Sequence, residues 1–164
     1  MLLRPATAAD VDVLAAMLVE AASWRPGTVR RPVAEVLALP GNAHYVQGWP
    51  RPGDGGVVAF EGDEAIGAAW WRLFAADDPG YGWVDKHTPE LSIGVAEGRR
   101  RQGVGTALLA AAAEAAAASG LARLCLSVEL DNPAQRLYGR TGWLEVSRSS
   151  RAATMVLPLD SRSP

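Results

Sequence analysis

"EGRRRQGVGTALL", residues 97 to 109, decides how the rest of this 164-residue chain is read. Arginines run into two glycines spaced one apart, and an alanine-rich stretch follows at once. Glycines permit positive φ and let a ligand come close to the main chain. A helix that begins directly after them offers unpaired N–H groups and the positive end of its dipole. Together these features suit an anion, and phosphate is the first candidate.

The flanking segments set the loop in a fold. Before it, "ELSIGVA" (90–96) alternates as a strand, with Leu91, Ile93 and Val95 on one face. Gly94 weakens that strand and marks either a bulge or a close approach of something to the backbone. After the loop a helix is predicted from about Val104 to Ser119, with Gly120 as its stop. "ARLCLSVEL" (122–130) is a second strand, and strand–helix–strand suggests a right-handed parallel crossover. "NPAQRLYGRTG" (132–142) reads as a short helix with Asn132 at its N-cap, Pro133 in its first turn and Gly142 at its end. "WLEVS" and "AATMVLPL" are two final strands.

Upstream, "LLRPA" is a short strand, and Thr7 or Asp10 can cap a helix running to about Ala22. "RPVAEVLAL" is a second helix, and residues 41 to 55 are a Gly/Pro-rich loop. "GVVAFEGDEAIGAAWWRL" is a hairpin with Gly62-Asp63 as the turn. "AADDPGYGWVDKHTP" (75–89) is a long loop of the kind that is usually functional or mobile. With antiparallel hairpins at both ends, the expected fold is α+β. Its mixed, mostly antiparallel sheet holds a central parallel strand pair, flanked by helices, in one domain over 1–164.

Bulk properties remove several classes of function. The net charge of −2 implies no broad basic face, which argues against nucleic acid as a partner. The most apolar run, Ala107 to Ala118, is shorter than a membrane span and contains Glu114. Cys125 stands alone and His44 and His87 lie far apart, so no metal constellation is recognisable. One cysteine and a start that reads as folded protein fit a reducing, cytoplasmic setting.

Three phosphate-loop patterns compete for residues 98 to 108. Against GxxxxGK[ST], Val104 stands where the lysine is required, so nothing reaches the β- and γ-phosphates of a nucleotide. Against GxGxxG, Leu108 occupies the third glycine position, and the loop follows a late strand. The third pattern, [RQ]-x-x-G-x-[GA] between a strand and a helix, is met by Arg100, Gly103 and Gly105. At this point the chain resembles the GCN5-related N-acetyltransferase (GNAT) family. "ELSIGV" resembles the family's fourth strand, and "NPAQRLYGRTGW" resembles its Asn, Ala, Leu-Tyr and Gly-Phe pattern, with Trp143 in the Phe place. The resemblance runs from about Glu90 to Val146 and is compatible on both sides.

The resemblance implies acetyl-CoA as acyl donor, with no metal. It places the pyrophosphate on the amides of Arg101, Gln102, Gly103, Val104, Gly105 and Thr106, with Arg99, Arg100 or Arg101 near the phosphates. It implies that the backbones of Ile93 and Val95 pair with the pantetheine arm, and that Asn132 contacts the cofactor or only caps its helix. Tyr138 matches the tyrosine that donates a proton to the departing thiolate. Glu90 matches a glutamate that acts as base directly or through water. Beside these roles stand plainer ones: a core tyrosine ring and an exposed strand-end carboxylate. Cys125 reads as a buried strand residue and His87 as surface.

The acceptor is a primary amine, on a small molecule or a peptide, by the same resemblance. Residues 44 to 90 concentrate large aromatics and carboxylates. Aromatic faces with carboxylates attract cations, which points to a small cationic amine held by Trp83, Asp85 and one of Trp70 and Trp71. Consecutive strand residues point to opposite faces, so only one of the two tryptophans is expected to line the core side. A transferase using a longer acyl-CoA and a non-catalytic acyl-CoA-binding regulator share these motifs. A homodimer is compatible with the sequence.

Overall fold

The computed structural model describes residues 1–159. Its elements in chain order are β1 (Leu2–Pro5), α1 (Val11–Ala22), α2 (Val33–Ala38), β2 (Gly55–Glu61), β3 (Glu64–Arg72), β4 (Glu90–Val95), α3 (Val104–Ala118), β5 (Arg123–Glu129), α4 (Ala134–Arg140), β6 (Leu144–Arg148) and β7 (Ala152–Pro158). The strands form one sheet in the order β1-β2-β3-β4-β5-β7-β6. Every neighbouring pair is antiparallel except β4 and β5. That is the α+β arrangement expected from the hairpins at both ends and the single crossover through α3.

Local chemistry accounts for the element ends. Asp10 accepts hydrogen bonds from the Thr7 N–H (2.6 Å) and hydroxyl (3.1 Å), and its pairing with Arg4 holds its pKa down at about 2. Gly62 turns the β2–β3 hairpin at φ +60°, and Gly120 stops α3 at φ +84°. The helix α3 is nearly all alanine and leucine. Its inner face packs Val104, Leu108, Leu109, Ala112 and Ala116 on one side of the sheet.

The sheet is covered on both faces. Against α3 and α4 lie Val57, Ala59, Ile66, Trp71, Leu91, Leu126 and Met155; against α1 and residues 45–49 lie Val58, Ala68 and Trp70. Trp70 and Trp71 do point to opposite faces, but each face has a core, and their exposures are 1% and 3%. Both tryptophans therefore serve packing. The expectation that one of them faces an acceptor pocket is corrected by the second core.

Gly94 answers its own question. The β3–β4 ladder runs without a register shift, so there is no bulge at this position. A β-carbon at Gly94 would instead collide with the main chain of Met17 in α1. The glycine lets a helix backbone lie directly on the strand.

Candidate active site

The parallel pair is joined at one place. The only paired position of β4 and β5 is Glu90 with Cys125, held by the Cys125 N–H donating to the Pro89 carbonyl at 2.9 Å. Beyond it the strands part. The Ala96 N–H donates to Ile66 on the β3 side, so by alternation the N–H and C=O groups of Leu91, Ile93 and Val95 point toward β5. Past the bridge they have no partner strand. An extended ligand can pair there with Ile93 and with the Val95 N–H, as an added strand would.

The arginine–glycine loop sits at the wide end of this gap. Gly103 precedes α3 in the left-handed region at φ +82°, and Arg101 takes φ +60°. No side chain caps α3, so its first-turn N–H groups, from Val104 to Thr106, face outward. Gly105 lies beside Val95 of β4 and Leu137 of α4, where an added β-carbon would be 3.9 Å and 3.6 Å from them. A helix N-terminus, a free strand edge and α4 thus meet at one place.

The arginines separate into different tasks. Arg99 pairs with Glu61 and Glu64 at the hairpin turn. Arg100 donates to the Glu20 carboxylate at 3.0 Å, to the Glu20 carbonyl at 3.1 Å and to the Val95 carbonyl at 3.3 Å. It therefore ties the loop to α1 through Nε and Nη2. Gln102 donates to the Gly98 carbonyl at 3.0 Å. Arg101 is exposed and has no partner among the described residues, so its charge is free for an anion.

Asn132 caps the helix: its Oδ1 accepts from the Ala134 N–H at 2.9 Å. Tyr138 lies 7% exposed in the core, its ring 6.0 Å from that of Trp143 in an edge-on contact. Burial pushes its pKa up to about 12, so the phenol keeps its proton at neutral pH. Its hydroxyl donates to no described residue. A protonated, uncommitted phenol is what a general acid requires.

Glu90 is no exposed strand-end carboxylate. It is 4% exposed, and Oε1 accepts from the Tyr45 hydroxyl at 2.8 Å and the Gly82 N–H at 2.9 Å. Burial raises its pKa above the ordinary glutamate value, opposed by those two hydrogen bonds and by the charge of His44. The loop through Gly80 and Gly82 lies flat on this carboxylate. A β-carbon at Gly80 would strike Oε2, and one at Gly82 would meet the backbone of Leu126 and Ser127. Sequence reasoning missed Tyr45 and this cover; the paired glycines of "PGYGW" were the available signal.

The other proposed acceptor residues are also committed. Trp83 is half-buried and donates its indole N–H to the Phe74 carbonyl at 3.3 Å. Asp85 accepts from the His87 N–H at 2.8 Å and the Thr88 hydroxyl at 2.9 Å, and pairs with Arg123. His87 is exposed, and Cys125 is buried with its pKa pushed up to about 12 by desolvation. The structure does not bring Trp70, Trp71, Trp83 and Asp85 together as one open pocket.

An open cleft of about 450 Å³ does lie at the C-terminal end of β5, lined by Arg25, Glu129, Leu130, Asp131, Ser150 and Arg151. There Arg25 pairs with both Glu129 and Asp131, and its guanidinium lies 4.5 Å from the centre of the Trp24 ring. Among the described residues no His/Cys/Asp/Glu group could hold a metal ion, and no helix is long and apolar enough to cross a membrane.

A mixed sheet that splits at its parallel pair beside a glycine-led helix start is a distinctive arrangement, and comparison with known proteins names its class. The sequence pattern of the acetyltransferase (GNAT) family matches residues 19–143, and the chain belongs to that family. A ribosomal-protein-alanine N-acetyltransferase from Brucella melitensis has a similar structure, with TM-score 0.69 and 24% identity over 97% of this chain and 100% of that one. A putative acetyltransferase from Salmonella typhimurium, solved with its cofactor acetyl-CoA, gives TM-score 0.72 and 19% identity over 100% and 96%. The ribosomal-protein-S18-alanine N-acetyltransferase from Escherichia coli gives 0.63 and 20% over 96% and 93%. At these identities the likeness is one of fold. No curated protein matches the chain by sequence.

Proposed function

We propose that the protein transfers the acetyl group of acetyl-CoA to a primary amine. The observation that carries this is the free edge of β4 at Ile93 and Val95 opening beside the uncapped start of α3. The loop amides and Arg101 hold the pyrophosphate, and the strand edge aligns the pantetheine arm. The N–H of Val95, on that edge, donates to the thioester oxygen as negative charge develops there. Glu90 takes a proton from the acceptor ammonium through water, because its carboxylate is covered by residues 80–82. Tyr138 gives its proton to the leaving thiolate.

The acceptor in this reading is a small cationic amine that reaches the acetyl group from the cleft at the end of β5. Support comes from Glu129, Asp131 and the Trp24 face, which already hold a cation, the guanidinium of Arg25. The test is a screen of amines that reads released coenzyme A thiol, at low and high salt. Cationic amines should lead, with an acceptor KM that rises with salt, and Asp131→Asn should raise that KM while the KM for acetyl-CoA stays unchanged. Faster turnover of neutral or anionic amines would refute the acceptor class. Absence of thiol release with every amine, together with tight acetyl-CoA binding, would favour the non-catalytic regulator.

A further inference from the structure

Glu20 is 7% exposed and sits in the last turn of α1, where a negative charge meets the negative end of the helix dipole. Burial and the dipole both disfavour it there. Two arginines, distant in sequence, compensate. Oε2 accepts from Arg100 Nη2 at 3.0 Å, and Oε1 accepts from Arg30 Nη2. The carboxylate has a rigid seat, because three residues earlier the main chain of Met17 rests directly on Gly94 of β4.

Each arginine belongs to a different segment. Arg100 also donates to the carbonyls of Glu20 and Val95, which fastens the end of β4 to the loop that carries Arg101 and Gly103. Arg30 lies in residues 23–32, the connection from α1 to α2. This connection leaves α1 on the β4 side of the gap and lands on β5. There Trp24 Nε1 donates to Glu129 at 3.3 Å, and Arg25 pairs with Glu129 and Asp131. It then turns at Gly27, φ +76°, and Arg30 brings it back to Glu20. The connection is therefore a closed loop across the gap, and its clasp is the carboxylate that also holds the phosphate-binding loop.

We propose that Glu20 is a positioning residue for acetyl transfer, fixing the donor loop through Arg100 and the wall of the acceptor cleft through Arg30. It acts through the arginines and not on a ligand. The proposal rests on the loop at Gly103 holding acetyl-CoA and on the cleft at the end of β5 admitting the amine. One anchor keeps the two binding surfaces in register across the gap. The arginines are held differently. Arg30 uses one nitrogen, so a lysine can replace it. Arg100 spreads Nε and Nη2 over three acceptors in a planar fork, which a lysine cannot copy.

Two variants set anchoring against simple charge. Glu20→Met keeps the length of a buried side chain, and both arginines are partly exposed, so water can take their freed nitrogens. Removing a negative charge beside an anion site should by charge alone tighten acetyl-CoA. Loss of the anchor should instead raise its Kd about three- to fivefold, the size of a partly exposed ion pair. Arg30→Gln removes a positive charge and should by charge alone favour a cationic amine. Loss of the anchor should instead raise the amine KM about three- to fivefold, and Arg30→Lys should restore it. Calorimetry with acetyl-CoA and initial rates on the most active amine of the screen read these constants, with Tm as the control for folding. Trypsin gives a reading that needs no turnover. It cuts after arginine unless proline follows, so Arg25 and Arg31 are spared while Arg30 and Arg99 to Arg101 are open to it. Glu20→Met should be nicked faster than wild type at both places. Tighter or unchanged acetyl-CoA binding by Glu20→Met would overturn the anchor, as would nicking at the wild-type rate. An amine KM that responds to Asp131→Asn but not to Arg30→Gln would overturn the acceptor half alone. Indifference of that KM to both variants would remove the cleft as the route of the amine, and the acceptor half with it, while calorimetry and trypsin still decide the donor half.

Discussion

Asp54→Ala is the perturbation whose size the structure sets most directly. The side chains of Arg72 and Asp54 are 1% and 2% exposed. Arg72 Nε donates to the two Asp54 oxygens at 3.2 and 3.1 Å and Nη2 to Oδ2 at 2.6 Å, while Nη1 donates to the carbonyls of His44 (2.9 Å) and Gln47 (2.6 Å). Removing the carboxylate leaves a guanidinium buried without its counter-charge, which costs about 3–5 kcal/mol. At about 2–4 °C per kcal/mol for a domain of this size, Tm should fall by about 6–20 °C. The double variant Asp54→Leu/Arg72→Met removes both charges but leaves the His44 and Gln47 carbonyls unpaired, at about 1–3 kcal/mol each. It should be destabilised by about 2–6 kcal/mol, less than the sum of the two single variants, and the coupling should exceed about 2 kcal/mol. Thermal melts followed by circular dichroism of wild type, Asp54→Leu, Arg72→Met and the double variant read the four corners of the cycle. Added salt should change little, because the pair is out of reach of solvent ions. A Tm for Asp54→Ala within about 3 °C of wild type would refute the reasoning.

Gly103→Val should raise the KM for acetyl-CoA at least tenfold (about 1.4 kcal/mol) and leave that for the amine alone, because a branched side chain at φ +82° is strained where the anion approaches. Unchanged acetyl-CoA binding by a folded variant would remove the loop from the site. Tyr138→Phe should lower kcat by about 10²-fold with little change in Tm, measured by initial rates; full activity would leave the ring with packing alone. Glu90→Gln should melt higher than wild type at about pH 8, and the gap should close toward about pH 4. Burial raises the folded pKa of Glu90, so its stabilising protonation is complete below the ordinary glutamate range and lost as pH rises through the raised value. A lower Tm for the variant at alkaline pH would show that the hydrogen bonds of Oε1 outweigh desolvation.

What the chain declares in sequence is what local forces decide. The turn at Gly62, the stop at Gly120, the alanine face of α3 and the cap at Asn132 all depend on residues within a few positions of one another, and each is where the pattern placed it. The strand alternation of Leu91, Ile93 and Val95 also held, because one face of β4 meets α3. Trp70 was read less well: alternation tells which residues share a face and is silent on whether the other face is covered, here by α1. Arg100 and Glu90 were obscured for the same reason. Their partners, Glu20 and Tyr45 with Gly82, lie far along the chain, and only the folded arrangement brings a helix end to one and a loop to the other. The cleft of Trp24, Arg25, Glu129 and Asp131 carries no motif at all.

The one-residue joint between β4 and β5 makes the sheet two ribbons, β1–β4 and β5–β7–β6, stitched at Glu90 and Cys125. Amides of the ribbons' interiors must break a ladder to exchange with deuterated solvent, but those of Ile93 and Val95 have no ladder to break. They should exchange at loop-like rates in the free protein although they lie mid-sheet, and slow only when a bound chain closes the seam. Such a seam also lets each ribbon loosen on its own, so opening near β6 need not travel to β1. A donor bound along the gap would then do mechanical work for the fold as well as chemical work, by joining the two ribbons into one cooperative unit.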